Sequence, residues 1–329
     1  MKRSGRGQGR PRGPRRGAAP VVADREGRVV TRRGPVLTVE MDDGAAVECV
    51  ARGKGKKAVV GDRVRFARDA DTEMAAGLVT EVVERRTALV RADALGRREQ
   101  VLAANIDHIF VVVTIEPPLR EGLIDRYLVA AHMQGIDASV VFNKVDLLDD
   151  PDLIDEVGER LAPYPGLGYP VYFVSAATGH GLDELREALR DRTSVFVGHS
   201  GVGKTSLLNG LDPALGERVQ TLSESSGRGQ HTTSASMLHH LPGGGDVIDS
   251  PGVRGFAIWG LEPRELRDHF PEFVELAPRC RFKDCQHMEE PACAVQAAVE
   301  DGAIAESRYA SYLKIRASLE GFDDVNRFW

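Results

Sequence analysis

Two kinds of hydrophobic pattern divide the chain near residue 100. From about Arg25 to Ala94, short alternating runs, "RVVTRRG", "PVLTVEMDDG", "AVECVARGKGKK", "VVGDRVRFAR" and "GLVTEVVERRTALV", are separated by Gly and Asp-Gly turns. Alternation between turn residues is the mark of half-buried strands, and five of this size predict a small β-barrel. An OB-fold, with nucleic acid or RNA-bearing particles as common ligands, is the leading candidate. An SH3-like barrel with a protein partner is the alternative.

Beyond residue 100 the apolar residues come in continuous runs. "IDHIFVVVTI", "ASVVFNK", "PVYFVSA", "SVFVGHS" and "DVIDSPG" read as buried parallel strands, and "GLIDRYLVAAHMQG", "DLIDEVGERLA" and "LDELREALRD" as crossover helices. This pattern predicts a doubly wound α/β domain. After Gly260 the chain turns helical and bears Cys and His, a third unit running to Trp329.

Composition narrows the class. At 329 residues, 42% hydrophobic and 28% charged, the chain suits a soluble protein of two or three domains. Its longest apolar runs fall short of the roughly 18 to 20 residues of a membrane span, and no apolar h-region suggests a secretory signal. Four cysteines, three of them between Cys280 and Cys293, fit a reducing compartment and a local metal site better than a disulfide framework, so a cytoplasmic location is expected. The net charge of −6 conceals an uneven distribution: residues 1–100 carry 23 Lys and Arg against 14 Asp and Glu. A basic first third on an acidic remainder points to a polyanionic partner such as RNA. The opening "MKRSGRGQGRPRGPRRGAAP" is basic and nearly without core-forming residues, so it reads as a tail disordered until bound. In the predicted barrel Phe66 is the one aromatic residue on a strand, so phosphate contacts from Arg52, Lys54, Lys56 and Lys57 are expected over base stacking. Cys49 is expected in the barrel core.

The α/β domain carries the chemistry. "GHSGVGKT", residues 198–205, follows a predicted strand and precedes the helical run "TSLLNGL", the context of a phosphate-binding loop. Its backbone N–H groups, from Gly198 through Ser200, Gly201, Val202 and Gly203 to Lys204, Thr205 and Ser206, can cradle phosphate at the positive end of a helix. Lys204 is expected at the β- and γ-phosphates and Thr205 on Mg²⁺. "DSPG" places Asp249 near the metal and the N–H of Gly252 near the γ-phosphate. "NKVD" supplies Asn143, Lys144 and Asp146 as base readers. A carboxylate accepts two N–H bonds from guanine that adenine cannot offer, so GTP is selected over ATP. In "SAATG", Ser175 and Ala176 can present a backbone N–H to the guanine carbonyl. Each segment ends a predicted strand, where an open α/β sheet binds its ligand.

These motifs resemble those of the Ras-like GTPase superfamily, but in the cyclic order base reader, "SA" loop, phosphate loop, switch I, "DSPG" found in circularly permuted GTPases. The resemblance puts switch I in "SSGRGQHTTSAS". There Thr232 or Thr233 completes the Mg²⁺ shell, with Thr233 the choice by motif alignment. Many GTPases orient water with a Gln shortly after the metal-binding Asp. Here Val253 follows Gly252, and His231 is the substitute, either orienting the water or accepting its proton.

"CRFKDCQHMEEPAC" spaces Cys280, Cys285, His287 and Cys293 as C-x4-C-x-H-x5-C, three thiolates and an imidazole able to close a structural zinc site. With "GQHTT" and "DSPGVRGF", the order of basic barrel, permuted GTPase and Cys3His unit resembles the ribosome small subunit-dependent GTPase A (RsgA) family over roughly residues 25–325. The disordered basic tail (1–22) stays outside the resemblance, which implies an OB-fold RNA-binding domain (23–98), a circularly permuted Ras-like P-loop GTPase domain (99–258) and a helical zinc-binding domain (259–329). It implies a GTPase of late small-subunit maturation that contacts rRNA, needs Mg²⁺ and zinc, and is stimulated by the subunit; a monomer is expected because one chain carries both flanking contact surfaces. Hydrolysis of GTP to GDP and phosphate would then favour release. The competing readings are a nucleotide-gated RNA-binding assembly module whose hydrolysis is incidental, and a P-loop NTPase of metabolism or transport.

Overall fold

The computed structural model describes residues 23–51, 53–68, 76–93, 97–215, 236–249 and 256–321. Strands β1 (Arg25–Arg33), β2 (Val36–Glu40), β3 (Ala46–Ala51), β4 (Arg63–Arg68) and β5 (Gly77–Val82) lie in the order β1-β2-β3-β5-β4, and β4 closes on β1. All these pairings are antiparallel except β3 with β5. This five-stranded closed barrel is OB-like, as the alternation predicts. Val29, Leu37, Val39, Cys49, Val64, Phe66 and Val79 fill it. Burial pushes the Cys49 thiol up to about 11, as befits a core residue.

The stretch "GLVTEVVERRTALV" is not one strand. β5 ends at Val82, and Ala88–Ala92 (β6) forms a separate hairpin with Glu99–Ala104 (β7), spanning residue 98. The break lies at Arg85, whose Nε and Nη2 donate to the fully buried Asp62 carboxylate at 2.7 and 2.9 Å. A buried carboxylate needs such a partner, and meeting it bends the chain off the barrel.

The α/β sheet runs in the order β10 (Val171–Val174), β9 (Asp137–Asn143), β8 (His108–Val113), β11 (Thr193–Val197), β13 (Asp246–Asp249), β12 (Ser236–His240). The first five are mutually parallel, and β12 is an antiparallel edge. Alternation within the apolar runs builds both faces. Ile109, Val111 and Val113 pack with helices α1 (Glu121–Met133) and α2 (Pro151–Leu161). Phe110 and Val112 pack on the other face with α4 (Leu182–Leu189) and α5 (Lys204–Leu211). A short helix, α3 (Pro163–Gly166), follows α2. Strand β12, "SMLHH", has no apolar run and escapes the sequence pattern. It is also where the two sheets meet, because β1 pairs with it through Thr31 and Arg32.

The C-terminal unit consists of α6 (Pro271–Leu276), α7 (Ala294–Glu300) and α8 (Glu306–Leu319). Leu266, Phe270, Phe273, Val295, Tyr312 and Ile315 form its core, with Val129 of α1 among them. Among the described residues no helix is long and apolar enough to cross a membrane.

The barrel is stitched to the hairpin at Gly61, which has φ +91°, and a Cβ there would lie 2.0 Å from the Ala104 carbonyl oxygen. Left-handed backbone and backbone overlap together set the cost of a side chain. Gly61→Ala is expected to destabilise the protein by about 2–4 kcal/mol, read as a lowered midpoint in thermal denaturation. An unchanged midpoint would show that the joint relaxes freely.

Candidate functional site

Parallel pairing brings the carboxyl ends of β8, β9, β10, β11 and β13 to one edge of the sheet, and the expected motifs follow those ends. The loop after β11 turns through Gly198, Gly201 and Gly203, with φ of 141°, 91° and 91°. Two of these glycines are dictated by neighbours as well as by φ. A Cβ on Gly198 would sit 2.2 Å from the Val112 carbonyl oxygen, and one on Gly203 would sit 2.3 Å from Asn143 Nδ2. Val202 is buried, whereas Ser200, Gly201, Thr205 and Ser206 face solvent. Lys204, the first residue of α5, donates from Nζ to the carbonyl oxygens of Gly198 (2.8 Å) and His199 (2.9 Å). The ammonium thus sits inside the curl of the loop, at the positive end of the helix, where anionic oxygens are favoured.

Asn143 ends β9 and is 1% exposed. Its Nδ2 donates to Val202 O at 2.8 Å, and its Oδ1 accepts from Ala176 N–H at 3.2 Å. The residue expected to read a base therefore fastens the phosphate loop to the "SA" loop. A base can meet Asn143 or the Ala176 N–H only by sharing these bonds. Asp146 is exposed and accepts from Ser175 Oγ. The buried Ser175 hydroxyl also receives the N–H groups of Ala177 and Thr178, at 3.2 and 3.1 Å. These contacts aim the Asp146 carboxylate while leaving lone pairs available to a ligand. Lys144, at φ 65°, donates from Nζ to Glu116 O at 2.7 Å.

Asp249 ends β13, paired across to Met237 of β12. Burial pushes its carboxyl above the ordinary range, and His239 and Lys204 pull it back. A partly buried carboxylate within the electrostatic influence of the phosphate-loop lysine suits a divalent cation. His231, Thr232, Thr233 and Gly252 lie outside the described residues. The loop after β8 carries no sequence motif, yet it borders the site. Glu116 supplies the carbonyl for Lys144, and Pro117 Cδ would lie 3.6 Å from a Cβ at Gly201. Its sole sequence signal is the Pro117-Pro118 pair.

The second site lies in the C-terminal unit. One donor atom each from Cys280, Cys285, His287 and Cys293 falls within 4.8 Å of the others. His287 Nδ1 is 3.7 Å from Cys280 Sγ and 3.4 Å from Cys293 Sγ. Four ligands about 2.0–2.3 Å from one zinc ion require this clustering. Backbone N–H groups of Ala294 and Gln296 point at Cys280 Sγ and Cys293 Sγ, at 3.4 and 3.5 Å, as thiolates favour. Burial pushes the Cys285 thiol up to about 12, so its anionic form needs a cation beside it. The donor set fits a closed zinc site.

The family model described as RsgA GTPase matches residues 82–259, over half the chain and across every nucleotide motif. The chain belongs to the RsgA GTPase family. It is 46% identical over 299 residues to the small ribosomal subunit biogenesis GTPase RsgA of Klebsiella pneumoniae subsp. pneumoniae, covering 89% of this chain and 84% of that protein. It is 44% identical over 306 residues to the protein of the same name from Chlorobaculum tepidum, covering 88% and 97%. Among solved structures it resembles YjeQ from Thermotoga maritima, with a TM-score of 0.71 and 37% identity over 90% of this chain and 99% of that one. It also resembles YloQ, described as a circularly permuted GTPase, with a TM-score of 0.67 and 29% identity over 91% and 96%. A circularly permuted GTPase with an OB-like barrel and a Cys3His unit is thus the architecture of this RsgA-family chain.

Two outcomes follow from the geometry. Asn143→Ala strands the buried Val202 carbonyl and Ala176 N–H, at a cost of about 1–3 kcal/mol each. It is expected to weaken GDP and GTP together by at least about tenfold in calorimetric titration, whereas loss of one nucleotide alone would contradict the fastening role. Elemental analysis should find one zinc per chain, and Cys285→Ser should lose it and unfold the C-terminal unit. A zinc-free chain with an intact melting profile would refute that.

Proposed function

We propose that this GTPase acts late in small ribosomal subunit maturation, with the bound subunit stimulating GTP hydrolysis and hydrolysis favouring release. The observation that carries the reading is the meeting of the phosphate loop, "NKVD", "SA" loop and Asp249 at one sheet edge, in a chain flanked by a basic barrel and a Cys3His unit. Similarity along nearly the whole chain to proteins named small ribosomal subunit biogenesis GTPase supports it.

In this reading the Asp146 carboxylate accepts the two guanine N–H groups, and Lys144, Ser175, Ala176 and Asn143 hold the base-side loops. The backbone of 198–206 and the Lys204 ammonium bind the phosphates, and the Gly252 N–H meets the γ-phosphate. Thr205 and Thr233, with Asp249 nearby, would hold Mg²⁺, which would neutralise phosphate charge during the transfer. His231 positions the attacking water. The water oxygen bonds to the γ-phosphorus, the bond to the β–γ bridging oxygen breaks, and GDP and phosphate leave. Val253 in place of a water-orienting Gln leaves that task to a residue of switch I, and ordering of that segment on the subunit would account for stimulation.

The remaining parts divide by residue: a basic tail (1–22), an rRNA-binding barrel (23–98), the GTPase domain (99–258) and the zinc domain (259–329). The barrel supplies phosphate contacts and the zinc domain a second contact surface. The chain acts as a cytoplasmic monomer, since it carries both surfaces itself.

GTP turnover should be slow alone and rise strongly with added small ribosomal subunits. Lys204→Ala should abolish the rise, and His231→Ala should cut turnover by about 10²–10⁴-fold, the range for a positioned acid–base group, while sparing GDP affinity. Equal rates with and without subunits would favour the nucleotide-gated assembly module.

A further inference from the structure

Helix α1 and the C-terminal unit meet at a pair of histidines that the nucleotide site does not use. The buried run of α1 ends at Ala131, and His132 is the next residue, exposed in the last turn. On the other side His269 closes a short helical turn, Pro263–His269, between the fully buried Leu266 and Phe270. Val129 and Met133 of α1 pack into the core that holds those two residues, so the packing around each ring sets where the two imidazoles stand. His132 Nδ1 lies 2.9 Å from His269 Nδ1, with the ring centres 5.1 Å apart and the planes at 76°.

Two neutral imidazoles at this distance share one proton, with one Nδ1 donating and the other accepting. Burial pushes the His269 imidazole below its usual value, His132 pushes it the same way, and Asp268 and Glu265 push back. That ring is therefore neutral at neutral pH and has a lone pair to give. The same two nitrogens can take a metal ion in place of the shared proton, because His132 is exposed and can turn its ring until both lone pairs converge. With metal–nitrogen bonds of about 2.0–2.1 Å, a nitrogen separation of 2.9 Å subtends about 90° at the ion. That is the angle between neighbouring ligands in the tetragonal geometry of Ni²⁺ and Cu²⁺, and it is narrower than the tetrahedral angle of zinc. The setting favours positive charge as well. Both histidines lie in the last turn of a helical segment, where the backbone carries partial negative charge, and Asp268 and Glu265 add carboxylates on the same turn. Arg267, whose Nε is 3.6 Å from Asp268, offsets part of that charge.

We propose that His132 and His269 form a second metal site, apart from the Cys3His cluster, which takes a divalent transition-metal ion such as Ni²⁺ or Cu²⁺ and so staples α1 to the C-terminal unit. Imidazole nitrogens select such ions over Mg²⁺, which prefers oxygen, so the site does not compete for the metal of a nucleotide. Two protein ligands leave the remaining positions to water or to a carboxylate, so the site is open and loads reversibly. An ion that binds only the folded joint stabilises it by mass action, which makes the joint responsive to metal concentration.

Calorimetric titration of Ni²⁺ into the untagged full chain, with the Cys3His site first filled with zinc, tests this. The wild type should bind one further equivalent of Ni²⁺ without releasing zinc, and its melting midpoint should rise with Ni²⁺ concentration. His132→Ala and His269→Ala should each weaken that binding by at least about tenfold, the scale on which even the outer partners of a metal site act, and should abolish the rise. His132→Ala removes an exposed ring, so it decides the matter even where His269→Ala disturbs the half-buried turn. A wild type that binds no further Ni²⁺, Ni²⁺ that enters only as zinc leaves, or binding of wild-type strength in His132→Ala overturns the proposal. The titration needs neither nucleotide nor ribosomal subunit, so its outcome is independent of the ribosomal reading.

Discussion

Hydrogen bonding between parallel neighbours is the constraint on which the nucleotide site depends. β8 pairs with β9 and β11, and β11 with β13, in continuous register, so all four release their following loops at the same edge. Pairing is indifferent to the order in which the chain visits the strands. The base-side loops therefore come before the phosphate loop in sequence and still meet it in space. Asn143 closes the arrangement, with its amide bonded to a phosphate-loop carbonyl on one side and to the "SA" loop N–H on the other. A buried amide satisfied at both ends orders two loops at once, which an apolar side chain cannot do.

Permutation also changes what the chain does on leaving the sheet. After Asp249 and the residues that follow, it runs past α1 into the C-terminal unit, and α1 is where the two bodies are joined. The join relies on buried charge. Asp125 is fully buried, and burial pushes its carboxyl upward while Arg308, Ser311 and Tyr164 pull it down. Such a pair contributes little net stability compared with apolar packing, yet removing one partner costs about 3–5 kcal/mol. Its plainest effect is to fix how α8 and α6 sit on α1, with Arg308 held between Asp125 and Glu272.

The barrel is attached by other means. Strand β1 adds to the sheet edge at β12, and Arg28 donates to Asp246 and, at 2.8 Å, to Thr193 Oγ1. His240 lies between Asp246 and Glu40, at 2.6 and 2.9 Å. These groups are partly exposed, so each pair is worth less than a buried one and weakens with salt. The seam therefore relies on strand pairing for geometry and on the polar cluster for register. β12 follows directly on the segment read as switch I, so the barrel and that segment share a strand.

Features whose physics is local can be read from the residues alone. Continuous apolar runs such as "HIFVVV" become strands buried on both faces, alternating runs become the barrel, and the spacing from Cys280 to Cys293 gathers four donors within one short loop. The glycines of "GHSGVGKT" likewise lie where left-handed backbone is required. Features that depend on partners far apart in the chain emerge only in the fold. Arg85 breaks an apparently continuous strand because Asp62, remote in sequence, is buried and needs a cation. "SMLHH" becomes a strand because two neighbouring edges offer it hydrogen bonds, although its own pattern does not demand one. Asn143 proves to be a fastener as much as a base-side residue, and Arg126, with no motif around it, links Phe256 to Ser318. Local pattern records whether a side chain is buried or exposed, but not which distant group it will meet there.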